Sequence, residues 1–279
     1  MVKTKVVVTG ASGFLGGAIV ECLKRAGADV VPVARRAALG CHRVADYSEA
    51  PPADVLVHLA EESNRGRANA AGGTYENAAR ATLETLLNKT FRRVVYASSA
   101  MLYGDESTLP HRIGDAVAAT DVYTRIKYSS EKLVAAHEGG ILVRLANLYG
   151  PGMDEGNVLG TILRQIPGAG PLSVWDDKPI RDFLWIEDAA EAMAKMALGS
   201  LEGIYNLGSG SSLSVHSLAE LALNIAGEAG RPIQATKPTG GESCLRMDIS
   251  CTTRDWAWHP RMDMRQGLER TIRLRQKTS

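Results

Sequence analysis

Short apolar runs alternate with segments of helical periodicity through the first half of the chain. Residues 5–9 form a β-branched run, after which Leu15, Ile19 and Leu23 recur at helical spacing. Further strands are predicted at residues 30–33 (where Pro32 weakens the hydrogen bonding), 54–59, 93–98 and 141–145, and helices at residues 77–87 and 122–136. Strands that alternate with helices indicate right-handed crossovers and a parallel sheet covered on both faces. The predicted fold class is α/β, with a doubly wound parallel sheet.

A glycine-rich turn joins the first strand to the first helix. Gly10, Gly13 and Gly16 have the spacing of a dinucleotide-binding turn, in which glycine permits a sharp bend and a close approach to a pyrophosphate. The N-terminus of the helix offers free N–H groups and a positive dipole to the phosphates, so Ser12, Phe14 and Leu15 are also expected to bind the cofactor. A tight turn with no ligand is the structural alternative. The sequence therefore favours a Rossmann-like site for a nicotinamide dinucleotide.

Two arginines follow the second strand. NAD sites of this fold usually place an acid there, which binds the 2′-hydroxyl of the adenosine ribose. Arg35 and Arg36 suit the 2′-phosphate of NADP instead, so NADP is favoured over NAD, although solvated loop arginines would give the same pattern. Asp46 and Tyr47, after the expected third strand, are predicted to meet the adenine.

The pattern loosens after residue 150, where Gly- and Pro-rich segments such as residues 167–171 begin. We interpret residues 1–150 as the dinucleotide-binding domain and residues 151–279 mostly as a smaller α/β lobe that binds substrate. The chain is expected to return to the first domain around residues 180–208. A later helix has Ser214 as its candidate N-cap.

A tyrosine and a lysine four residues apart lie in a predicted helix, which puts Tyr123 and Lys127 on one face. A neighbouring ammonium favours the phenolate, so such a tyrosine can exchange a proton with a substrate oxygen as hydride is transferred. Most pairs of this kind are surface neighbours. Here a hydroxyl pair, Ser98 and Ser99, ends a hydrophobic strand, and doubly wound sheets bind ligands at such strand ends.

The segments TGASGFLG, YASSAMLYG and YTRIK resemble the extended short-chain dehydrogenase/reductases, a family of nucleotide-sugar epimerases, dehydratases and ketoreductases. HLA at residues 58–60, RLANLYGPG at 144–152 and RDF at 181–183 extend the resemblance over most of the chain. The resemblance implies that Ser99, and not Ser98, is the catalytic hydroxyl. It also implies that Leu59, Ala60 and Asn77 bind the cofactor, that Asn147 and Arg181 bind substrate (Arg181 at a nucleotide phosphate), and that the protein is a homodimer.

Three departures from the family pattern bear on the substrate. Thr239 stands where the family often has an arginine that grips the diphosphate, and Arg246 is a candidate replacement. Ala100 and Met101 stand where dehydratases carry an Asp-Glu pair, which disfavours elimination of water. The chain is also short for the group. A nucleotide-linked substrate is therefore less firmly implied than the redox chemistry.

Composition excludes several other classes of function. Lys plus Arg number 32 against 31 for Asp plus Glu, so the net charge of +1 offers no attraction to nucleic acid. The four cysteines lack a CxxC spacing, the histidines lack ligand spacing, and no run is long enough to span a bilayer. We expect a cytoplasmic protein without a metal. Glu61 and Glu62 follow the fourth strand, where they could approach the cofactor or substrate, but a solvated loop is the favoured interpretation. The four tryptophans are interpreted as packing residues of the second lobe.

These features predict hydride transfer between NADP(H) and a sugar carbon, with Tyr123 as acid/base, Lys127 lowering its pKa and Ser99 orienting the oxygen. A nucleotide-linked ketosugar reductase is favoured slightly over an epimerase that keeps NAD tightly bound. A non-catalytic NADP-sensing scaffold is the remote alternative. Retention of Ser99, Tyr123 and Lys127 together argues against the scaffold.

Overall fold

The computed structural model describes residues 3–278, with side chains described as far as residue 276. The strands are β1 (Lys5–Thr9), β2 (Asp29–Ala34), β3 (His42–Arg43), β4 (Val55–His58), β5 (Arg93–Ser99), β6 (Gly140–Leu145), β7 (Asn147–Tyr149), β8 (Leu172–Val174), β9 (Ile180–Arg181), β10 (Phe183–Trp185), β11 (Gly203–Leu207), β12 (Leu213–Ser214), β13 (Ile233–Ala235) and β14 (Cys244–Leu245). The helices are α1 (Phe14–Arg25), α2 (Arg65–Leu87), α3 (Val122–Ala135), α4 (Val158–Leu163), α5 (Ile186–Leu198), α6 (Val215–Ile225), α7 (Ser250–Trp256) and α8 (Met264–Thr278). Short 3₁₀ turns at Tyr47–Glu49 and Ala100–Tyr103 follow β3 and β5.

Within the described residues, seven parallel strands form the main sheet in the order β3-β2-β1-β4-β5-β6-β11. This confirms the predicted α/β class with a doubly wound parallel sheet. The chain winds outward in one direction from β1 and in the other from β4, and these two strands are neighbours, with Thr9 opposite His58. Ligands of such sheets bind in the crevice outside the carboxyl ends of the strands at this switch point. The fold therefore directs attention to the loops after β1 and β4.

Pro32 lies inside β2 without breaking it. It pairs with Val8 of β1, whereas β3 reaches only Val33 and Ala34 on the other side of β2. At Pro32 the strand therefore has a neighbour on one side only, which is a position where a strand tolerates the missing N–H.

Two apolar cores cover the two faces of the sheet. One joins the sheet to α1 and α5, and the other joins it to α2 and α3. Trp256 and Trp258 belong to the first of these cores, and Trp185 lies in a third core with α4, α6 and α8. The prediction that all four tryptophans pack inside the second lobe is wrong, because Trp175 is 74% exposed and only Trp185 lies in the core of that lobe.

The second lobe consists of small sheets and the helices that pack on them. Strands β7 and β10 pair, β9 lies between β12 and β14, and β8 pairs with β13. The Ser214 hydroxyl accepts a hydrogen bond of 3.0 Å from Ser217 N, which confirms the predicted N-cap of α6. Strand β11 lies beside β6 in the main sheet, and the division of the chain at residue 150 stays a prediction. Among the described helices, none is long and apolar enough to cross a membrane.

Candidate active site

The glycine-rich turn lies at the switch point of the sheet. Gly10 has a φ of +74°, and a Cβ on it would lie 3.1 Å from the carbonyl of Leu59, so the turn packs against the segment that follows β4. A Cβ on Gly16 would lie 2.2 Å from the carbonyl oxygen of Gly10. No side chain caps α1 at Gly13, which leaves the first N–H groups of the helix for a ligand. The turn therefore has the shape and the donors that a pyrophosphate needs.

The predicted contacts of the cofactor's adenosine end lie beside this turn. Arg35 and Arg36 are exposed directly after β2, and neither forms an ion pair with a described residue. The Arg35 guanidinium lies 5.2 Å from the centre of the buried Tyr47 ring. Hydrogen bonding to Ser48, from its side chain and from its backbone N at 2.8 Å, holds the pKa of Asp46 below its usual value.

The other predicted cofactor contacts differ in whether they lie near the glycine turn. Leu59 and Ala60 are half-buried beside Gly10, at the carboxyl end of β4. Asn77 is exposed on α2, a helix that Gly72 interrupts with a φ of +68°. The structure thus brings Leu59 and Ala60 to the glycine turn and leaves the side chain of Asn77 in solvent.

Helix α3, which carries Tyr123, packs against β5, which ends at Ser99, and against the 3₁₀ turn that follows. Both side chains are buried, at 7% exposure each. The Ser99 hydroxyl accepts a hydrogen bond of 3.2 Å from Met101 N, which caps that turn. The hydroxyl can still donate its own proton, so it is able to bind a substrate oxygen.

Tyr123 is the second residue of α3, and side chains fix this end of the helix. Asp121 accepts a hydrogen bond of 2.8 Å from Thr124 N, and Thr124 bonds back to Asp121 N in a capping box. Asn69 of α2 accepts a hydrogen bond of 2.9 Å from Tyr123 N and donates one of 3.0 Å to Asp121. Arg65 pairs with the same carboxylate, and the pKa of Asp121 is far below its usual value since these hydrogen bonds outweigh its burial. The first turn of the helix is therefore held from α2.

Lys127 lies one turn further along α3 and is buried with Tyr123. Its ammonium donates 2.9 Å to the carbonyl oxygen of Ala97 and lies 5.9 Å from the centre of the Tyr123 ring. A second hydrogen bond, of 3.0 Å, goes to Glu61. An ammonium has three N–H donors, so one remains for a ribose hydroxyl of a bound dinucleotide.

Glu61 is the residue that the sequence interpretation placed wrongly. Its side chain is 3% exposed rather than solvated, and its carboxylate accepts hydrogen bonds from Lys127, from the Tyr96 hydroxyl and from the Ser130 hydroxyl at 2.6 Å. A buried carboxylate is tolerated because these donors and the lysine charge replace its hydration. The hydrophobic run of β4 gave no sign of this, since the partners come from β5 and α3. Its neighbour Glu62 lies closer to the surface and pairs with Arg67 at 3.0 Å.

Burial and charge act against each other around this ion pair. Burial raises the pKa of Glu61, but the Lys127 charge and the hydrogen bonds lower it more, so the carboxylate is ionised. Burial lowers the pKa of Lys127, but the Glu61 charge raises it more. His58, hydrogen-bonded to Thr9 at 2.8 Å, has its pKa lowered by burial to about 4 and is neutral at pH 7.

Ser98 points into a different network from Ser99. Its hydroxyl donates 2.6 Å to Glu131 of α3, and Arg144 of β6 grips that carboxylate through two hydrogen bonds of 2.9 and 2.7 Å. All three residues are buried. Hydrogen bonding and the charge of Glu131 outweigh burial and raise the pKa of Arg144 above its usual value. This network fixes the end of β5 to α3 and to β6.

Asn147 and Arg181, which the family resemblance assigns to substrate, lie on strands of two different small sheets, β7-β10 and β12-β9-β14. Asn147 is exposed at the start of β7, and its amide donates 3.1 Å to the carbonyl oxygen of Asp182. Arg181 of β9 is half-buried and binds the Asp105 carboxylate at 3.0 Å and the Ser243 hydroxyl at 2.7 Å. A nucleotide phosphate at Arg181 would therefore join or displace Asp105. Arg246 is the candidate replacement for the family's diphosphate-binding arginine. Its guanidinium donates a long hydrogen bond, of 3.4 Å, to the Thr108 carbonyl oxygen.

Comparison with known proteins decides the family. The model described as "NAD dependent epimerase/dehydratase family" matches residues 6–208, from β1 through β11. The chain belongs to this family. It is accordingly an enzyme of the extended short-chain dehydrogenase/reductase group, as the sequence motifs predicted.

Relatives of this family enzyme carry out several reactions. A putative UDP-glucose 4-epimerase of Methanocaldococcus jannaschii is 25% identical over 96% of this chain and 97% of its own. A dTDP-6-deoxy-L-talose 4-dehydrogenase (NAD(P)(+)) of Kitasatospora kifunensis is 26% identical over 95% of this chain and 93% of its own. The crystal structure of a Thermotoga maritima UDP-glucose 4-epimerase with UDP-glucose has a TM-score of 0.87 at 21% identity, covering 98% of this chain and 99% of that one. This last likeness establishes the fold alone.

Proposed function

We propose that the enzyme reduces a ketone on the sugar of a nucleotide sugar, with NADPH as the hydride donor. The observation that carries the proposal is the burial of Ser99 at the end of β5 and of Tyr123 and Lys127 on the helix α3 that packs against this strand. The Lys127 ammonium lies 2.9 Å from the carbonyl oxygen of Ala97 in β5 and 5.9 Å from the centre of the Tyr123 ring. The cofactor supplies the hydride. Tyr123 gives its proton to the carbonyl oxygen, and Ser99 donates a hydrogen bond that stabilises the developing negative charge.

The preference for NADP rests on the residues after β2. Arg35 and Arg36 are exposed without an ion-pair partner among the described residues, at the position where NAD sites usually carry an acid. Two guanidiniums at this place form charge-assisted hydrogen bonds to a 2′-phosphate. NADPH is a reducing cofactor that is released after each turnover, which favours a reductase over an epimerase.

The nucleotide sugar is proposed from the second lobe and from the named relatives. Arg181 supplies a cation for a phosphate. Asn147 of β7 supplies an exposed amide, which is bonded to the carbonyl oxygen of Asp182, the residue after Arg181. Both relatives described above act, by their names, on sugars linked to UDP or dTDP. Ala100 and Met101 supply no acid for dehydration. The cytoplasmic location and the homodimer stay predictions from the sequence.

An epimerase with tightly bound NAD would use the same site, and the M. jannaschii relative carries that name. The two reactions differ in what happens to the cofactor. A reductase oxidises one NADPH for each ketone reduced, whereas an epimerase shows no net change in cofactor absorbance. A scaffold protein would bind the dinucleotide and turn nothing over.

The test uses purified protein, a panel of nucleotide ketosugars, and either NADPH or NADH. We expect stoichiometric loss of absorbance at 340 nm with NADPH, and a Tyr123→Phe variant that binds NADPH within threefold of wild type with turnover reduced at least 1,000-fold, both order-of-magnitude estimates. Unchanged turnover in Tyr123→Phe would refute the mechanism. Retention of NAD through purification, with interconversion of two sugars and no net oxidation, would replace the reductase by the epimerase.

A further inference from the structure

Arg181 of β9 is a half-buried cation whose hydrogen-bond donors are largely taken up by the protein itself. Its Nη1 atom donates to the carbonyl oxygens of Ile180 and Ser243, at 2.9 and 3.0 Å. Its Nη2 atom donates to the Asp105 carboxylate at 3.0 Å and to the Ser243 hydroxyl at 2.7 Å. These bonds use four of the five N–H donors of a guanidinium. A phosphate that binds the Nη2 end must therefore compete with groups of the protein.

The Asp105 carboxylate is the group that a ligand can replace. Its side chain is 36% exposed, against 18% for Arg181, so it has solvent to turn into. An ion pair this close to water contributes little to stability. The backbone is held separately, because the Asp105 carbonyl oxygen accepts a hydrogen bond of 2.6 Å from Cys244 N of β14. The carboxylate can therefore leave Arg181 while the chain stays bonded to β14.

A second arginine lies under the same loop. Strand β14 pairs with β9 so that Leu245 is opposite Arg181, and Arg246 follows directly. The Arg246 guanidinium donates to the carbonyl oxygen of Thr108, three residues after Asp105. Its Nε is buried without a hydrogen-bond partner, and it forms no ion pair within the part of the chain that the structure describes. Residues 105–108 thus contact two guanidiniums, of which only Arg181 has a described counter-charge.

We propose that Asp105 is a specificity-determining residue: its carboxylate occupies the place of a substrate phosphate on Arg181, so that only a ligand with more negative charge displaces it. This inference rests on the proposed function, in which Arg181 binds a phosphate, and deepens it. A ligand without a phosphate cannot replace the carboxylate, and a ligand with a single carboxylate gains nothing by the exchange. The diphosphate of a nucleoside diphosphate sugar carries the charge that the exchange requires.

The physical reason is competition between anions for one guanidinium. Phosphate oxygens accept charge-assisted hydrogen bonds from the same planar fork that binds a carboxylate. Once displaced, the Asp105 carboxylate stays near the phosphate and repels it. Replacing Asp105 by asparagine keeps the size of the side chain and an acceptor for Arg181 but removes the charge. UDP should then bind about tenfold more tightly, by order of magnitude.

A purely structural role for Asp105 predicts the opposite sign. If the ion pair only held the loop on β9 and β14, its loss would loosen the loop, and the affinity for UDP would stay the same or fall. A gain in affinity follows from removal of a competitor and not from loss of a loop contact.

The experiment is isothermal titration of the full-length protein with UDP. The protein is first saturated with NADP⁺ or NAD⁺, whichever binds more tightly, so that UDP does not enter the dinucleotide site. Asp105→Asn is compared with wild type and with Glu106→Gln, which removes the charge of the neighbouring exposed residue. Uridine, which has no phosphate, is the control ligand. Thermal unfolding shows that each variant is folded.

We expect the Kd for UDP to fall about tenfold in Asp105→Asn and to stay within about twofold of wild type in Glu106→Gln, with no gain for uridine. The gain should be lost in the double variant Asp105→Asn/Arg181→Gln, because the guanidinium is then absent. An unchanged or higher Kd in Asp105→Asn would overturn the proposal, and so would an equal gain in Glu106→Gln. Where Asp105→Asn does not fold, Asp105→Ser also lacks the charge and should show the same gain.

The outcome is separable from that of the proposed function. Binding of UDP needs no turnover, so tighter binding by Asp105→Asn would stand even if no ketosugar were reduced. Conversely, NADPH oxidation with a nucleotide ketosugar, together with an unchanged Kd in Asp105→Asn, would keep the reductase and remove the role of Asp105.

Discussion

The Ser98 hydroxyl donates a hydrogen bond of 2.6 Å to the buried carboxylate of Glu131, whereas the adjacent Ser99 caps the turn that follows β5. The two hydroxyls therefore differ in what they hold. Ser98 links the strand to Glu131 of α3, whose carboxylate also binds Arg144, and Ser99 lies at the strand end, before the turn that packs against α3.

Alanine at these two positions should separate stability from catalysis. Ser99→Ala should lower kcat about 100-fold, since it removes a donor to the substrate oxygen. It should lower the free energy of unfolding by about 0.5–1 kcal/mol, since Met101 N loses its acceptor in the turn. Ser98→Ala should lower that free energy by about 1–2 kcal/mol, since a buried acceptor loses its donor, and leave kcat within about threefold. Urea unfolding and turnover measured on both variants check this. A greater loss of kcat in Ser98→Ala than in Ser99→Ala would reverse the assignment.

Gly16 and Gly17 offer a matched pair in the first turns of α1. A Cβ on Gly16 would lie 2.2 Å from the carbonyl oxygen of Gly10, while a Cβ on Gly17 would have its nearest contact at 3.8 Å. Gly16→Ala should therefore displace the turn and weaken dinucleotide binding at least tenfold, by order of magnitude. Gly17→Ala should keep the affinity within about twofold and stabilise the helix by up to about 1 kcal/mol. Isothermal titration with the dinucleotide compares them, and equal affinities would place the cofactor elsewhere.

The arginines after β2 should decide which dinucleotide binds. Replacing Arg35 and Arg36 together by alanine should raise the Kd for NADPH about 10- to 100-fold, because the 2′-phosphate loses charge-assisted hydrogen bonds. The Kd for NADH should change less than about threefold, since NADH lacks that phosphate. Arg92→Ala, an exposed change before β5, serves as the control. Equal losses for both dinucleotides would mean that these arginines do not read the 2′ position.

His58 makes the folded protein sensitive to acid. Its pKa is about 4 when folded, because of burial, and about 6.5 when unfolded. Between these values the unfolded chain holds the proton and the folded chain does not, so stability falls as the pH falls. The loss attributable to His58 between pH 7 and pH 5 is about 2 kcal/mol. Urea unfolding of wild type and His58→Asn at both pH values should show a smaller acid loss in the variant.

Asp182 changes the stability in the opposite direction to His58 between pH 7 and pH 5. It is present in both wild type and His58→Asn, so its contribution is the same in the two proteins. Burial raises its pKa to about 6, so the folded state takes up a proton there before the unfolded state does, and stability rises as the pH falls. For this reason the difference between wild type and variant, and not the wild-type curve alone, measures His58. An equal acid loss in the two proteins would show that His58 is not the group responsible.

Local patterns carried most of the fold prediction. The run at β1, the glycine turn and the periodicity of α1 are all short-range signals, and the strands at β4, β5 and β6 were placed within a residue or two. Parallel pairing then followed from the alternation of strands and helices. Ser214 was recognisable as an N-cap because capping depends on residues only three positions apart.

Contacts between residues that are far apart in the sequence could not be predicted from local patterns. Glu61 is charged and follows a strand, which is typical of a loop, yet its partners Tyr96 and Lys127 come 35 and 66 residues later. For Trp175 the error is the reverse: burial was predicted, because a large apolar residue is usually buried, but the side chain is exposed. The Lys237 ammonium lies 5.1 Å from the centre of its ring. In both cases the environment depends on tertiary packing, to which a single-sequence pattern is blind.

The clamp that Asn69 and Asp121 form at the start of α3 has a consequence for precision. The ends of helices fray, since their first N–H groups lack intrahelical partners. Tyr123 lies in the first turn of α3. Fraying of this turn would move its hydroxyl by more than the length variation that a hydrogen bond allows. Because the Asn69 side chain of α2 accepts a hydrogen bond from Tyr123 N, the position of this turn is set by a contact between helices as well as by the capping box of α3 itself.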